Sequence, residues 1–343
     1  MHMRILSTLI VFIYMLTISG IVSAQAIDRT PNKQKQQILV KPVTSSADTA
    51  GKKHQEIKIY PVKPNNQKNK ELNDYSKTLL GTTPSATPVA DPKEKEAMDY
   101  FLKGSQKGKE GNYKGAIEDF NKSLSLFKNA NTYMKRGFTY LMLENYPNAL
   151  QDFNQALKMM PAYAKALFGR GICYFEMQNL EKSEKDLADC LEMERNNPIA
   201  FNYYAACKFM KKDYKGALEN YSEVVKLDPK FRDIYTNRGM MRHFLQDFQG
   251  AILDYNEALK LDPNNYTAFN NRGGARMSMK NFKGALDDFN SAIRLKADYG
   301  DALDNRGRAR YNLGDKAGAC EDWHKAFSLG IDNSRDMIIK FCN

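Results

Sequence analysis

The sequence predicts an all-helical protein built from a tandem array of helix pairs. A 34-residue period runs from Ala97 to residue 333, with small residues at the eighth and twentieth positions of each unit. A large residue, aromatic in six units and leucine in the third, stands four positions after the second small residue. Spacings of three and four place side chains on one helix face, so these positions predict the contact between two antiparallel helices.

The period defines seven units after a first step of 33 residues. They are 97–129, 130–163, 164–197, 198–231, 232–265, 266–299 and 300–333. The large residues are Phe120, Phe153, Leu187, Tyr221, Tyr255, Phe289 and Trp323. A fixed period of this length is typical of solenoids, in which each unit buries its apolar face against its neighbours.

The pattern of Gly, Ala, aromatic, small residue and Pro resembles the tetratricopeptide repeat family. Pro161, Pro229 and Pro263 stand at the family's closing position, where proline ends the second helix. The other four units lack this proline. The resemblance implies a right-handed α-α superhelix whose first helices line a concave face.

The N-terminus has the layout of an export signal. Arg4 precedes an apolar run from Ile5 to Ile18, and small residues before position 25 suit cleavage after Ala24. Residues 1–24 are therefore predicted to be a signal peptide. The alternative is an uncleaved membrane anchor, since the stretch approaches the roughly 20 residues that span a bilayer. Cleavage places the mature protein in the periplasm, at the cell surface or outside the cell.

Residues 25–92 form a basic segment rich in Lys, Asn and Pro, and no regular structure is predicted for it. Residues 27–90 contain eleven Lys and Arg against five Asp and Glu, which is +6 of the total +11. Export argues against a nucleic-acid partner. Two functions for the tail remain open: contact with anionic envelope polymers, as in a surface or structural adhesion element, and autoinhibition by lying in the concave groove.

Five units contain an Arg-Gly pair followed, sixteen residues after the arginine, by an aspartate. Unit four replaces both charges together, with Tyr204 and Asn220. This joint loss predicts that the two side chains meet in structural ion pairs, and an anion-binding stripe is the alternative. The pairs are Arg136 with Asp152, Arg170 with Asp186, Arg238 with Asp254, Arg272 with Asp288, and Arg306 with Asp322.

Residues 334–343 are predicted to form a helix that caps the last unit. Cys320 lies in that unit and Cys342 in the cap, and the ending resembles that of other exported bacterial repeat proteins. A disulfide between them is predicted, with two free thiols as the alternative. Cys173, Cys190 and Cys207 fall at core positions and are predicted to be free and buried.

The family resemblance also implies which positions face a ligand. In the middle units these positions hold an apolar strip that predicts a binding surface for a polypeptide. The last two units turn polar there, with Asn270, Asp301, Asp304 and Arg308. The predicted groove residues are Phe138, Leu141, Phe168, Ile172, Phe175, Phe209, Met210, Met240 and Phe244.

Catalysis is not expected, because no nucleophile with a base, phosphate loop or carboxylate pair stands outside the repeat pattern. The four histidines are isolated in sequence, so neither a metal site nor a cofactor is expected. The sequence therefore favours a non-catalytic scaffold of the bacterial envelope that binds a protein or peptide, whose identity the sequence does not specify.

Overall fold

The computed structural model describes residues 70–82, 91–231 and 233–342. The regular structure of these residues consists of sixteen helices, which confirms the predicted fold class. The helices are α1 Lys70–Gly81, α2 Pro92–Lys109, α3 Tyr113–Leu126, α4 Ala130–Met142, α5 Tyr146–Met159, α6 Ala164–Glu176, α7 Leu180–Met193, α8 Pro198–Met210, α9 Tyr214–Leu227, α10 Ile234–Phe244, α11 Phe248–Leu261, α12 Tyr266–Ser278, α13 Phe282–Leu295, α14 Gly300–Asn312, α15 Lys316–Ser328 and α16 Asn333–Phe341.

The helices α2 to α15 pack as seven antiparallel pairs that follow the 34-residue units. Each even-numbered helix of this set is the first of its pair, and from α4 onward it also packs against the second helix of the preceding pair. The second helices begin at Asn or Asp side chains that accept a hydrogen bond from the backbone N–H three residues later. These N-caps are Asn112, Asn145, Asn179, Asp213, Asp247, Asn281 and Asp315.

The small and large positions of the repeat meet in the core. The ring of Phe153 is fully buried between two first helices, and it lies against Gly137 of its own unit and Gly169 of the next. A Cβ at Gly137 would lie 2.8 Å from that ring, and one at Gly169 would overlap it outright. Glycine at both places therefore lets an aromatic ring fill the space between neighbouring units.

The first pair departs from the predicted unit boundary. Its first helix, α2, starts at Pro92 rather than Ala97 and has 18 residues, against 13 for α4. The Asp91 side chain accepts from the backbone N–H of Lys93, and proline is favoured at the first helical position. Local capping chemistry therefore sets this start.

The prediction that residues 25–92 lack regular structure is wrong for residues 70–81, which form α1. The remaining part of that segment before residue 70 and the predicted signal peptide, residues 1–24, lie outside the described residues. Among the helices that the structure describes, none is both long and apolar enough to cross a bilayer.

The C-terminal helix α16 packs against α15 and covers the end of the array. Met337 of α16 is buried against Trp323, beside Phe341. The structure joins Cys320 to Cys342 through a disulfide bond, with 5.6 Å between their Cα atoms. The cap is therefore held by both packing and a covalent link.

Candidate functional site

The predicted groove residues lie on the first helices, but most of them are not open to solvent. Phe138, Phe168 and Met240 are fully buried, and Met210 and Phe244 are half-buried. The others, Leu141, Ile172, Phe175 and Phe209, are buried as well. The expectation of an exposed apolar strip is therefore wrong for these side chains, because neighbouring helices and α1 cover them.

The helix α1 lies against the inner side of the first units. It packs against α2 and α4, and its Tyr75 ring also meets Phe168 of α6 edge-on, with 5.2 Å between ring centroids. The same ring lies 6.4 Å from Phe138. Burial raises the pKa of the Tyr75 hydroxyl. Part of the predicted groove is thus filled by a helix of the chain itself.

Leu80, near the end of α1, is fully buried in a cluster with Phe101 and Phe120. Beside it, the ammonium of Lys135 in α4 donates to the carbonyl oxygens of Leu80 and Thr82 and to Ser105 Oγ. Lys135 is 2% exposed. Burial and the nearby Lys165 lower the pKa of Lys135 to about 8. We use the name α1 groove for the surface formed by α2, α4 and α6 that receives α1.

The five predicted Arg and Asp pairs all come together, each within one unit. The N–O distance is 2.6 Å for Arg136 with Asp152 and 2.7 Å for Arg170 with Asp186. It is 2.6 Å for Arg238 with Asp254, 2.7 Å for Arg272 with Asp288, and 2.6 Å for Arg306 with Asp322. The aspartates are buried, so these contacts have the geometry of structural ion pairs.

Four of these arginines also donate to an asparagine of the preceding unit. Arg170, for example, reaches Asn154 over 2.8 Å. In units five to seven a second arginine, one turn later, also contacts the same aspartate, as Arg242 does with Asp254. The guanidinium groups of these four arginines thus link neighbouring units.

The polar side chains at the C-terminal end of the inner face form hydrogen bonds within the protein. Asp304 is fully buried and accepts from Arg308 over 2.9 Å and from Ser334 of α16 over 2.7 Å. Asn305 donates to Asn270 over 3.0 Å. The expectation that Asn270, Asp304 and Arg308 face a partner is therefore wrong, because these side chains are buried and hydrogen-bonded within the protein. The capping helix supplies one of the partners of Asp304.

Two segments of the chain match the profile of the tetratricopeptide repeat family, residues 134–198 and residues 233–265. These segments cover α4 to α7 and α10 to α11, and the same pairwise packing continues through all seven units. The helical array is a tetratricopeptide repeat array.

Solved structures of tetratricopeptide proteins share this fold. YrrB, a tetratricopeptide repeat protein with an unusual peptide-binding site, is 21% identical and covers 55% of this chain and 97% of its own, with a TM-score of 0.52. The C-terminal part of a repeat protein from Cytophaga hutchinsonii is 18% identical over 66% of this chain and 94% of its own, with a TM-score of 0.54.

A third structure of the same fold is a tetratricopeptide repeat protein from Parabacteroides merdae. It is 15% identical and covers 73% of this chain and 100% of its own, with a TM-score of 0.51. A comparison with curated proteins found no match to this chain. At these identities the likeness shows the fold alone.

A cavity of about 150 Å³ lies at the edge of α1 in the tetratricopeptide array. Leu72 and Asn73 of α1 line it on one side, and Leu141 and Ile172 line it on the other. Tyr113 also lines it and donates from its hydroxyl to Asn73 Oδ1 over 3.1 Å. The fit between α1 and the groove thus leaves a space beneath the start of the helix.

The remaining candidate groups are three free cysteines and a half-buried histidine. Cys173, Cys190 and Cys207 are free and buried, and burial raises the pKa of their thiols, for Cys207 to about 11. Burial lowers the pKa of His243 to about 3. Within the described ranges, no cluster of three or more His, Cys, Asp and Glu side chains is placed to hold a metal ion.

The contribution of α1 to the site was missed, although the sequence contains a signal for it. Leu72, Tyr75, Leu79 and Leu80 follow the spacing of an amphipathic helix. Lys135 is a second signal, because it stands at the unit position that holds asparagine in units five to seven. A lysine at an inner position of a repeat needs a partner, and here the partner is the end of α1.

Proposed function

We propose that this protein is a non-catalytic scaffold that binds a polypeptide in the α1 groove. The observation that supports this most directly is that the groove already holds a 12-residue amphipathic helix through aromatic, aliphatic and backbone contacts. A groove of this kind binds helices through apolar anchors spaced three and four residues apart. YrrB, which shares the fold, has a peptide-binding site.

The proposal includes the cellular location of the protein. The layout of residues 1–24 favours export, so we infer a location in the bacterial envelope or at the cell surface. In that setting the repeat array would hold one envelope protein in place.

The experiment uses the array without its own helix. A chain of residues 91–343 is titrated into a fluorescein-labelled peptide of residues 70–82, and binding is measured by fluorescence anisotropy. Saturable binding is expected, since the buried surfaces that meet in one chain also meet between two molecules. No binding by a folded array would contradict a polypeptide-binding role for this groove.

Two matched variants locate the binding surface. Phe168→Ala removes a ring that contacts Tyr75, whereas Phe209→Ala removes a buried inner-face ring that contacts Tyr214 and Phe244 instead. Both changes should lower the melting temperature of the array, because each empties a core position. Only Phe168→Ala should weaken binding of the peptide.

A further inference from the structure

The contacts of α1 resemble those of a bound ligand more than those of a further repeat helix. Among the described residues it is a single helix without an antiparallel partner of its own, and it lies across the first helices of units one to three. Its buried side chains lie on one face, while Lys70, Asp74 and Thr78 are exposed on the other. Such one-sided burial is how an amphipathic helix sits in a groove.

The fit of α1 to the groove is incomplete in two places. Ser76 is fully buried, and among the described residues its Oγ has no hydrogen-bond partner. A buried hydroxyl without a partner destabilises the contact. The half-open cavity of about 150 Å³ beside Leu72 and Asn73 is the second place, because it is space in the groove that α1 does not fill.

The groove contains a fixed feature that selects the end of a helix. Lys135 is buried, and in the described part of the chain it forms no ion pair with a carboxylate. Two of its hydrogen bonds go to the carbonyl oxygens of Leu80, in the last turn of α1 at the negative end of the helix dipole, and of Thr82, just after the helix. A third goes to Ser105 Oγ of the array, and the ammonium lies 4.9 Å from the Phe101 ring. Without a helix end in this place, the ammonium would lose both carbonyl partners and keep only Ser105 and the Phe101 ring.

From these observations we propose that α1 is a resident, imperfect ligand of the groove, which a partner helix displaces. This inference rests on the proposed function and names its partner class. The partner is an amphipathic helix with large apolar residues at the places of Leu72, Tyr75, Leu79 and Leu80. It has a small residue at the place of Ser76, and its C-terminal carbonyl oxygens lie over Lys135.

The test uses the full chain and the labelled peptide of residues 70–82 as the probe. In Leu79→Asp, a charge replaces a buried leucine and should release α1 from the groove. Thr78→Asp places the same charge on the exposed neighbouring position and serves as the control. The probe should bind Leu79→Asp about tenfold or more tightly than wild type, and it should bind Thr78→Asp like wild type. The reason is that α1 occupies the groove in most wild-type molecules, so only the fraction with an empty groove can bind the probe.

Replacing Ser76 should change the affinity for the probe in opposite directions, depending on whether the change is made in the probe or in the full chain. Ser76→Ala in the probe removes the unpaired hydroxyl and should tighten its binding to Leu79→Asp by about fivefold. The same change in the full chain on the wild-type background should weaken binding of the unmodified probe, since the resident helix then competes better. A permanent structural helix would leave the probe's affinity unaffected by changes in the chain.

The outcomes separate this inference from the proposed function. Equal binding to wild type, Leu79→Asp and Thr78→Asp would overturn displacement by competition, while binding by the 91–343 array would still support the function. Weak binding to all three, with tight binding to that array, would show that α1 is a fixed cap. Circular dichroism verifies folding, and Tyr75→Ala replaces Leu79→Asp if that variant unfolds.

Discussion

Lys135 Nζ donates to the carbonyl oxygen of Leu80 over 2.7 Å, which joins two residues 55 positions apart in the chain. The bond connects an inner helix of the repeat array to the end of a helix that precedes the array. It is formed by a buried cation and a backbone dipole, so both sequence segments are needed to satisfy it.

Lys135→Met should remove a pH dependence of stability above pH 8. The folded pKa of about 8 lies below the ordinary value of 10.5, so between these values the unfolded chain binds more protons than the folded chain. The free energy of unfolding of wild type relative to that of Lys135→Met should therefore rise with pH in this window, by up to about 1.4 kcal/mol per pH unit.

Urea denaturation of both proteins at pH 7.5, 8.5 and 9.5 measures this difference, from which the contributions of the thiols and tyrosines that both proteins share cancel. The contribution of Lys135 should be constant below pH 8, where both states keep the proton. Parallel stability curves for wild type and Lys135→Met would show that the ammonium is not destabilised by burial.

Removal of Arg170 should cost more stability than removal of Arg238. Among the residues that the structure describes, Asp186 has one arginine partner, whereas Asp254 is also contacted by Arg242 over 3.0 Å. Arg170→Ala should therefore leave a buried carboxylate without its cation and lower the free energy of unfolding by about 3 kcal/mol. Arg238→Ala should have a smaller effect, and thermal denaturation of both variants provides the comparison. Equal losses would mean that Arg242 does not compensate.

Reduction of the terminal disulfide should loosen the last unit without unfolding the whole array. The bond closes a separation of 22 residues, for which the chain-entropy estimate gives about 3 kcal/mol. Hydrogen exchange should accelerate in α15 and α16 of Cys342→Ser and remain unchanged in α4 to α7, because repeats are coupled mainly to their neighbours. Dithiothreitol should reproduce the effect in wild type and add nothing in the variant. Uniform acceleration along the array would contradict this local role.

Gly169→Ala should destabilise the contact between units two and three. Its Cβ would overlap the buried Phe153 ring, and overpacking of this kind costs about 1–3 kcal/mol despite the better helix propensity of alanine. Phe153→Leu removes part of the ring, so the double variant should lose less stability than the sum of the two single changes. Additive losses in urea denaturation would indicate that the ring moves aside freely.

Much of the fold could be predicted from local pattern. The spacing of Gly137, Phe153 and Gly169 is determined by helix periodicity and by contacts between adjacent units, so each repeat contains the information for its own packing. The Arg and Asp pairs were predictable for a related reason, since unit four lost both charges at once. These features recur with the period, and recurrence within one chain makes them visible.

The candidate site could be predicted only in part. The family resemblance identified Phe138 and Phe168 as inner-face residues, and the structure places both against Tyr75. The pattern gave no indication that they would be covered, because exposure depends on what packs over a helix and not on its own periodicity. Asp304 illustrates the same point at the other end, where α16 satisfies a polar residue that was expected to face a partner.

The sequence by itself determined that this protein is an array of helix pairs, because short-range spacing is sufficient to specify helices that pack on their neighbours in order. Only the tertiary structure decided where residues 70–81 lie. A helix of 12 residues is marginal in water, so its formation depends on the surface that buries it. That surface comes from residues distant in sequence, such as Lys135 and Phe168, whose combined position no local pattern encodes.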